Sequence, residues 1–396
     1  MRRTKLFSMI GLALLSLSLH AQNFKRNPKL VQTINDSYAA STAQYKIMMK
    51  NLEGARFPKT FVPKTGKLET SDSGWWCSGF YPGTLLALYA QTKDEVLLTE
   101  ADRMLALLEK EQYNKTTHDL GFMMYCSFGN ALQINPKPAY KEILINSAKS
   151  LSTRFDPKVG CIKSWDGKKN DFLVIIDNMM NLELLFWATR ETGDSSYYKI
   201  AVTHANTTLK NHFRKDYSSY HVVNYNPETG AVQKKHTAQG YADESAWARG
   251  QAWGLYGYTV MYRETQDKKY LDQANHIAAF ILHHPNLPKD KIPYWDFNAP
   301  NIPNALRDVS AGAVMASALF ELSQYATQKE AKVYFRTAEQ MLQSLTKAPY
   351  QSLPGTNGGF ILQHSVGHIP QGTEVDVPLT YADYYYVEAM KRYQQN

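Results

Sequence analysis

Apolar residues recur at helical spacing in twelve segments, roughly 28–50, 79–91, 94–112, 120–133, 138–154, 177–192, 195–213, 243–264, 268–284, 307–326, 330–347 and 375–394. The segments are of two alternating kinds. Odd-numbered ones are amphipathic, as in Ala101-Asp102-Arg103-Met104-Leu105-Ala106-Leu107-Leu108-Glu109-Lys110, whereas several even-numbered ones are apolar nearly all round, as in Met179 to Ala188 and Ala311 to Leu322. An amphipathic helix faces water on one side; a helix apolar on every face must be enclosed. Twelve helices alternating between these kinds predict two concentric rings joined by helical hairpins, an all-α (α/α)6 barrel. Strand signals are few and short, near Phe172 to Ile176 and Tyr220 to Tyr225. No Pro/Gly/Ser-rich linker or charge run divides the chain, so residues 22–396 read as one domain.

In such a barrel the inner helices run parallel and their N-termini open on one face. Aromatic, acidic and basic residues are knotted together just before each inner segment. Trp75-Trp76-Cys77-Ser78-Gly79 precedes the second, Asp119 the fourth, Asp177 the sixth, His236 to Glu244 the eighth, Arg307-Asp308 the tenth and Gly372 to Asp376 the twelfth. Free backbone N–H groups and helix dipoles make that face electropositive, which favours a ligand carrying carboxylate or sulfate.

Composition narrows the picture. Residues 1–21 carry Arg2, Arg3 and Lys5, then an apolar stretch from Leu6 to Leu19, then Ala21, the pattern of a secretory signal peptide and too short to span a bilayer. With no Cys at the cleavage point, the expectation is an exported, periplasmic protein without a lipid anchor or membrane span. The formal charge falls from +8 to +5 once those three basic residues leave. A modest, unclustered surplus is unlike a nucleic-acid-binding footprint. Cys77, Cys126 and Cys161 are too few and too scattered for a disulfide framework or a zinc site, and behave as small hydrophobes. No ligand-spaced Cys/His set calls for a metal, and the expected chemistry needs no cofactor.

Two Asp residues at one barrel mouth suit acid/base work on a sugar, where one carboxyl is protonated to donate and the other is charged. A helix N-terminus lowers a carboxyl pKa, so the working acid needs burial or a neighbouring carboxylate to oppose it. Taken singly, each Asp also fits an ordinary N-cap. The densest stretch runs from His236 to Trp253. Arg249 and Trp253, four apart, share a helix face, and a guanidinium beside an indole can cradle a carboxylated ring or form a buried cation packed on a core aromatic.

Four motifs in order resemble the unsaturated glucuronyl hydrolases of glycoside hydrolase family 88. They are His-Asp-Leu-Gly-Phe at 118–122, Asp-Asn-Met-Met-Asn at 177–181, Trp-Ala-Arg-Gly-Gln-Ala-Trp at 247–253, and Gly-Thr-Glu-Val-Asp-Val-Pro-Leu-Thr-Tyr-Ala-Asp-Tyr-Tyr-Tyr at 372–386. The resemblance implies a six-hairpin barrel acting on acidic oligosaccharides whose non-reducing end is a 4,5-unsaturated uronic acid. It implies that Asp177 is the acid/base and Asp119 the second essential carboxylate. It places Arg249, Trp253, Thr237, Gln239, Trp76 and His221 around the sugar. Some relatives hold a substrate sulfate with Ser and Lys in the stretch matching Gln363 to Pro370; this chain has Ser365 and His368 there but no Lys. The missing Lys argues against a preference for sulfate, and His368 can meet an anion only when protonated. The sister family of unsaturated rhamnogalacturonyl hydrolases, an inverting glycosidase on saturated sugars and a non-catalytic glycan-binding toroid are the alternatives.

Overall fold

The computed structural model describes residues 24–395, so residues 1–21, read as an export signal, lie outside the described part. Among the described residues there are twelve α-helices: α1 Pro28–Asn51, α2 Phe80–Thr92, α3 Glu95–Leu108, α4 Asn130–Ile134, α5 Pro138–Ser152, α6 Leu182–Thr192, α7 Ser195–Asn211, α8 Ala248–Thr265, α9 Lys268–His283, α10 Val309–Leu322, α11 Gln328–Leu345 and α12 Thr380–Gln395. A π-helix, Gly121–Gly129, runs into α4, and a 3-10 helix, Ile176–Asn181, runs into α6. Helices α2, α4, α6, α8, α10 and α12, with those two leading turns, pack in sequence, and α12 closes back on α2. The odd-numbered helices lie against this ring from outside, giving the (α/α)6 barrel.

Burial follows the two kinds of pattern. All of α10 is buried, and α8 is buried from Ala248 through Met261, as enclosed helices must be. The outer helix α11 instead buries Ala331, Tyr334, Phe335, Ala338, Leu342 and Leu345, a stripe at three- and four-residue spacing.

Three of the hairpins share one turn. Thr92-Lys93-Asp94, Thr192-Gly193-Asp194 and Thr265-Gln266-Asp267 each end an inner helix and begin the next outer one. The middle residue is left-handed, with φ of 58°, 75° and 56°, and its N–H closes the last turn. The Asp then accepts from the backbone N–H two residues on and caps the outer helix.

The structure differs from the pattern-based expectation at the mouth. Among the described residues nine short strands form four small sheets there and in the loops: β1 Phe57–Val62 with β2 Lys67–Ser71, β3 Phe155–Asp156 with β4 Cys161–Ile162, β5 Phe172–Ile175 with β6 Val222–Tyr225 and β7 Val232–His236, and β8 Ser365–His368 with β9 Thr373–Val377. The predicted segment 375–394 starts as a helix only at Thr380, because Val375 and Val377 pair with Val366 and Ser365. The predicted segment 243–264 starts at Ala248, because Asp296 holds the preceding residues in a turn by accepting from Tyr241 N and Ser245 Oγ.

Glycines let the inner elements approach closely. A Cβ on Gly83 would meet the Cys126 carbonyl oxygen at 2.3 Å, and one on Gly121 would meet Asn181 Cα at 2.4 Å. At Gly121 the obstacle is backbone, so Gly121→Ala should force apart the turns that carry Asp119 and Asp177. The expected loss is about 1–3 kcal/mol of stability, read by chemical denaturation, together with a fall in activity. The three thiols are unpaired, and burial pushes each of them upward in pKa, so none is a ready nucleophile.

Candidate active site

Two local arrangements bring the aspartates together. Asp177 stands in the first turn after β5, where Ile176 N donates to the His221 carbonyl at 3.0 Å and so continues the β5–β6 ladder. Asp119 stands just before the π-helix, whose first turn is tied to the next inner element by Phe122 N donating to Asn181 Oδ1 at 2.9 Å. Both carboxyls line one cavity of about 480 Å³, with Trp75, Trp76, Phe122, Trp165, Gln239, Arg249 and His368 around them. The volume is that of a small-molecule site. Its lining rings Trp76 and Phe122 are backed by the buried Phe80, Trp253 and Tyr381 in a cluster of tilted and edge-on rings with centroids 4.9–6.5 Å apart.

Burial raises the Asp177 pKa to about 7; the negative charge of Asp119 adds to the rise, and Arg249 opposes it. Asp177 therefore exchanges a proton near neutrality despite sitting at a helix start. Asp119 is held differently. Thr117 Oγ donates to its Oδ2 at 2.7 Å, and His118 Nε2 lies 3.3 Å from its Oδ1. Burial pushes the His118 pKa down, so its imidazole is neutral.

Arg249 is not a free clamp. Its Nη1 donates to Asp308 Oδ2 at 3.0 Å and to the Val366 carbonyl, and its Nη2 donates to Gln239 Oε1 at 2.7 Å and to the Gly367 carbonyl at 2.8 Å. The guanidinium also lies over Trp247 at 4.5 Å and Tyr381 at 5.4 Å. Its charge reaches the pocket, but four of its N–H groups are already used. Gln239 gives its oxygen to Arg249, which leaves its amide N–H groups to face a ligand.

The sequence-derived residues divide by position. Asp119, Asp177, Trp76, Gln239, Arg249 and His368 line the cavity. His221 and Trp253 stand behind Asp177; Trp253 is fully buried with its indole near the carboxyl, and His221 Nε2 is 3.7 Å from Asp177 Oδ2. Thr237 is engaged in a turn, accepting from Gly240 N at 2.8 Å, and Ser365, the first residue of β8, is fully enclosed. For His368, burial and then the Arg249 charge push the pKa below the ordinary histidine value, which disfavours the protonated form that would meet an anion.

Trp165, Trp75, His118 and Gln371 also line the cavity. Trp165 had a signal in the sequence, an aromatic in the polar loop Lys163-Ser164-Trp165-Asp166-Gly167, but nothing in that loop's spacing points to the barrel mouth. Asp308, in the knot before the tenth segment, reaches the site only through Arg249, a pairing that no spacing could reveal.

A toroid of six helical hairpins that holds one carboxyl near neutral pKa beside a second, in a walled aromatic pocket, is a glycosidase-type architecture. The chain belongs to Glycosyl Hydrolase Family 88, whose model matches residues 46–394. It is 45% identical over 390 residues to an unsaturated glucuronyl hydrolase of Formosa agariphila, covering 98% of this chain and 96% of that one. An unsaturated chondroitin disaccharide hydrolase of Streptococcus pneumoniae is 34% identical, with 82% and 83% covered. The crystal structure of an unsaturated glucuronyl hydrolase specific for heparin superimposes with a TM-score of 0.89 at 47% identity, over 92% of this chain and 97% of that one.

Proposed function

We propose that this enzyme is an unsaturated glucuronyl hydrolase that removes the 4,5-unsaturated uronic acid from the non-reducing end of glycosaminoglycan-derived oligosaccharides by hydrating the vinyl ether. The observation that carries this reading is Asp177, an enclosed carboxyl with a pKa of about 7 beside Asp119 in one pocket. Asp177 gives its proton to C4, and the C4=C5 electron pair forms the new C–H bond. The positive charge left at C5 is shared with the ring oxygen. Water adds at C5 and returns a proton to Asp177. The resulting hemiketal opens at the C5–ring oxygen bond, and the hemiacetal at C1 then collapses to release the neighbouring sugar. Asp119 and Gln239 hold the ring, and Trp76 and Trp165 wall it in.

Among substrates, heparin-type disaccharides are favoured over chondroitin-type ones, since the relative specific for heparin is 47% identical and the unsaturated chondroitin disaccharide hydrolase 34%. We also propose export by way of residues 1–21. A panel of lyase-made disaccharides from heparin, chondroitin, hyaluronan and ulvan tests the substrate reading: loss of the conjugated-bond ultraviolet absorbance should be fastest with the heparin type. Release of sugar with the absorbance intact would instead mark an ordinary glycosidase.

The pH dependence follows from the same carboxyl. Asp177 must be protonated to act, so kcat/KM falls as pH rises through about 7. The charge of Asp119 raises the Asp177 pKa, so Asp119→Asn should move that fall to lower pH in a pH–rate profile, besides lowering the rate.

A further inference from the structure

His221 has its tautomer fixed by the backbone. Its Nδ1 accepts from Ala238 N at 3.1 Å and Gln239 N at 3.2 Å, so that nitrogen carries no proton. The neutral ring therefore has its one N–H at Nε2. The ring is held between Trp247, at 4.4 Å between centroids, and the edge-on Trp165 at 6.0 Å, and the His221 carbonyl accepts from Ile176 N next to Asp177. Two buried polar atoms then face each other without a hydrogen-bond partner: His221 Nε2 and Asp177 Oδ2, 3.7 Å apart. A buried donor and a buried acceptor left unmade are both costly; the Trp253 indole N–H, also unpartnered, is a second buried donor near the same carboxyl and is unchanged in both variants below.

We propose that His221 is a positioning residue whose Nε2–H closes onto Asp177 Oδ2 during the reaction, stabilising the carboxylate formed by proton transfer and reserving Oδ1 as the oxygen that gives and recovers the proton. This rests on the reading of Asp177 as the acid/base. Burial, with the Arg249 charge second, keeps the His221 pKa well below the ordinary value, so the imidazole stays neutral and the donor stays a donor throughout the working pH range. The turn at Ala238-Gln239, which presents Gln239 to the pocket, thereby also sets the proton position on a catalytic carboxyl.

Two substitutions separate this role from simple support of the turn. In His221→Gln the amide nitrogen falls near the Nε2 position and restores the donor; in His221→Asn the side-chain oxygen falls near Nδ1 and restores only the acceptor for the backbone. A hydrogen bond to a charged group predicts that Gln retains about tenfold or more of kcat over Asn, per folded molecule as judged by circular dichroism melting, with KM changed little. Loss of the donor also disfavours the Asp177 carboxylate in the substrate complex, so the high-pH fall in kcat should move upward in Asn and not in Gln. The charged and titratable groups around the pair, Arg249, Asp119, His212, His236 and His368, are the same in both variants. Asn equal to or better than Gln, or an unmoved pH profile in Asn, overturns the proposal. An active Asp177→Asn enzyme would instead overturn the underlying reading of the acid.

Discussion

Asp177→Asn leaves a folded protein that binds the unsaturated disaccharide nearly as well as the parent and turns it over about 10²–10⁴-fold more slowly, the usual contribution of a positioned general acid/base. The amide fills the same space among Arg249, Trp253 and His221 but has no proton of suitable acidity to give. Stopped ultraviolet assays give kcat, and calorimetric titration gives the affinity. Because burial is the first cause of the raised pKa, removing the carboxyl also removes an unfavourable desolvation. The variant should therefore melt at the same temperature as the parent or higher above neutral pH, where Asp177 would otherwise be charged. A catalytic loss without a stability loss is the signature of a residue that the barrel does not need for folding.

The largest structural effect is expected at Arg249. Its side chain is 3% exposed and its partner Asp308 fully enclosed, and Asp308 also caps α10 by accepting from Ser310 N at 3.0 Å and from the Ser310 hydroxyl at 2.6 Å. Arg249→Met would strand the Asp308 carboxylate, Gln239 Oε1 and the carbonyls of Val366 and Gly367 without their donor. Removing one partner of a buried pair costs about 3–5 kcal/mol, read as a lower midpoint in denaturant unfolding. The remaining folded enzyme should show its high-pH activity limit displaced upward, because Arg249 opposes the rise of the Asp177 pKa. Loss of stability and a moved pH limit in one variant distinguish a structural cation that tunes the acid from one that only grips the substrate.

The ring of twelve helices was legible because enclosed and half-enclosed helices have different apolar patterns, as α10 and α11 illustrate. The shared Thr-x-Asp turn was also present in the sequence, but three residues repeated at uneven intervals carry little periodicity. The small sheets were harder to read. β9 alternates Val375 and Val377 with a charged residue, yet Glu374 and Asp376 both have positive φ, a conformation that non-glycine residues rarely announce. Among site residues, Asp119 and Asp177 were recognisable as knots before inner helices, but their meeting depends on Gly121 packing against Asn181, which is a long-range contact. The reach of Arg249 to Asp308, Val366 and Gly367 likewise joins segments far apart in the chain, so the sequence suggested a substrate clamp where the fold makes a held cation.

The most direct check on proton delivery to C4 is nuclear magnetic resonance of the product formed in heavy water and sampled early, from the heparin-type disaccharide. One deuteron at C4 of the released keto acid, with one face strongly preferred, is the predicted result. A released uronate that keeps its C4=C5 bond and carries no deuterium would contradict it.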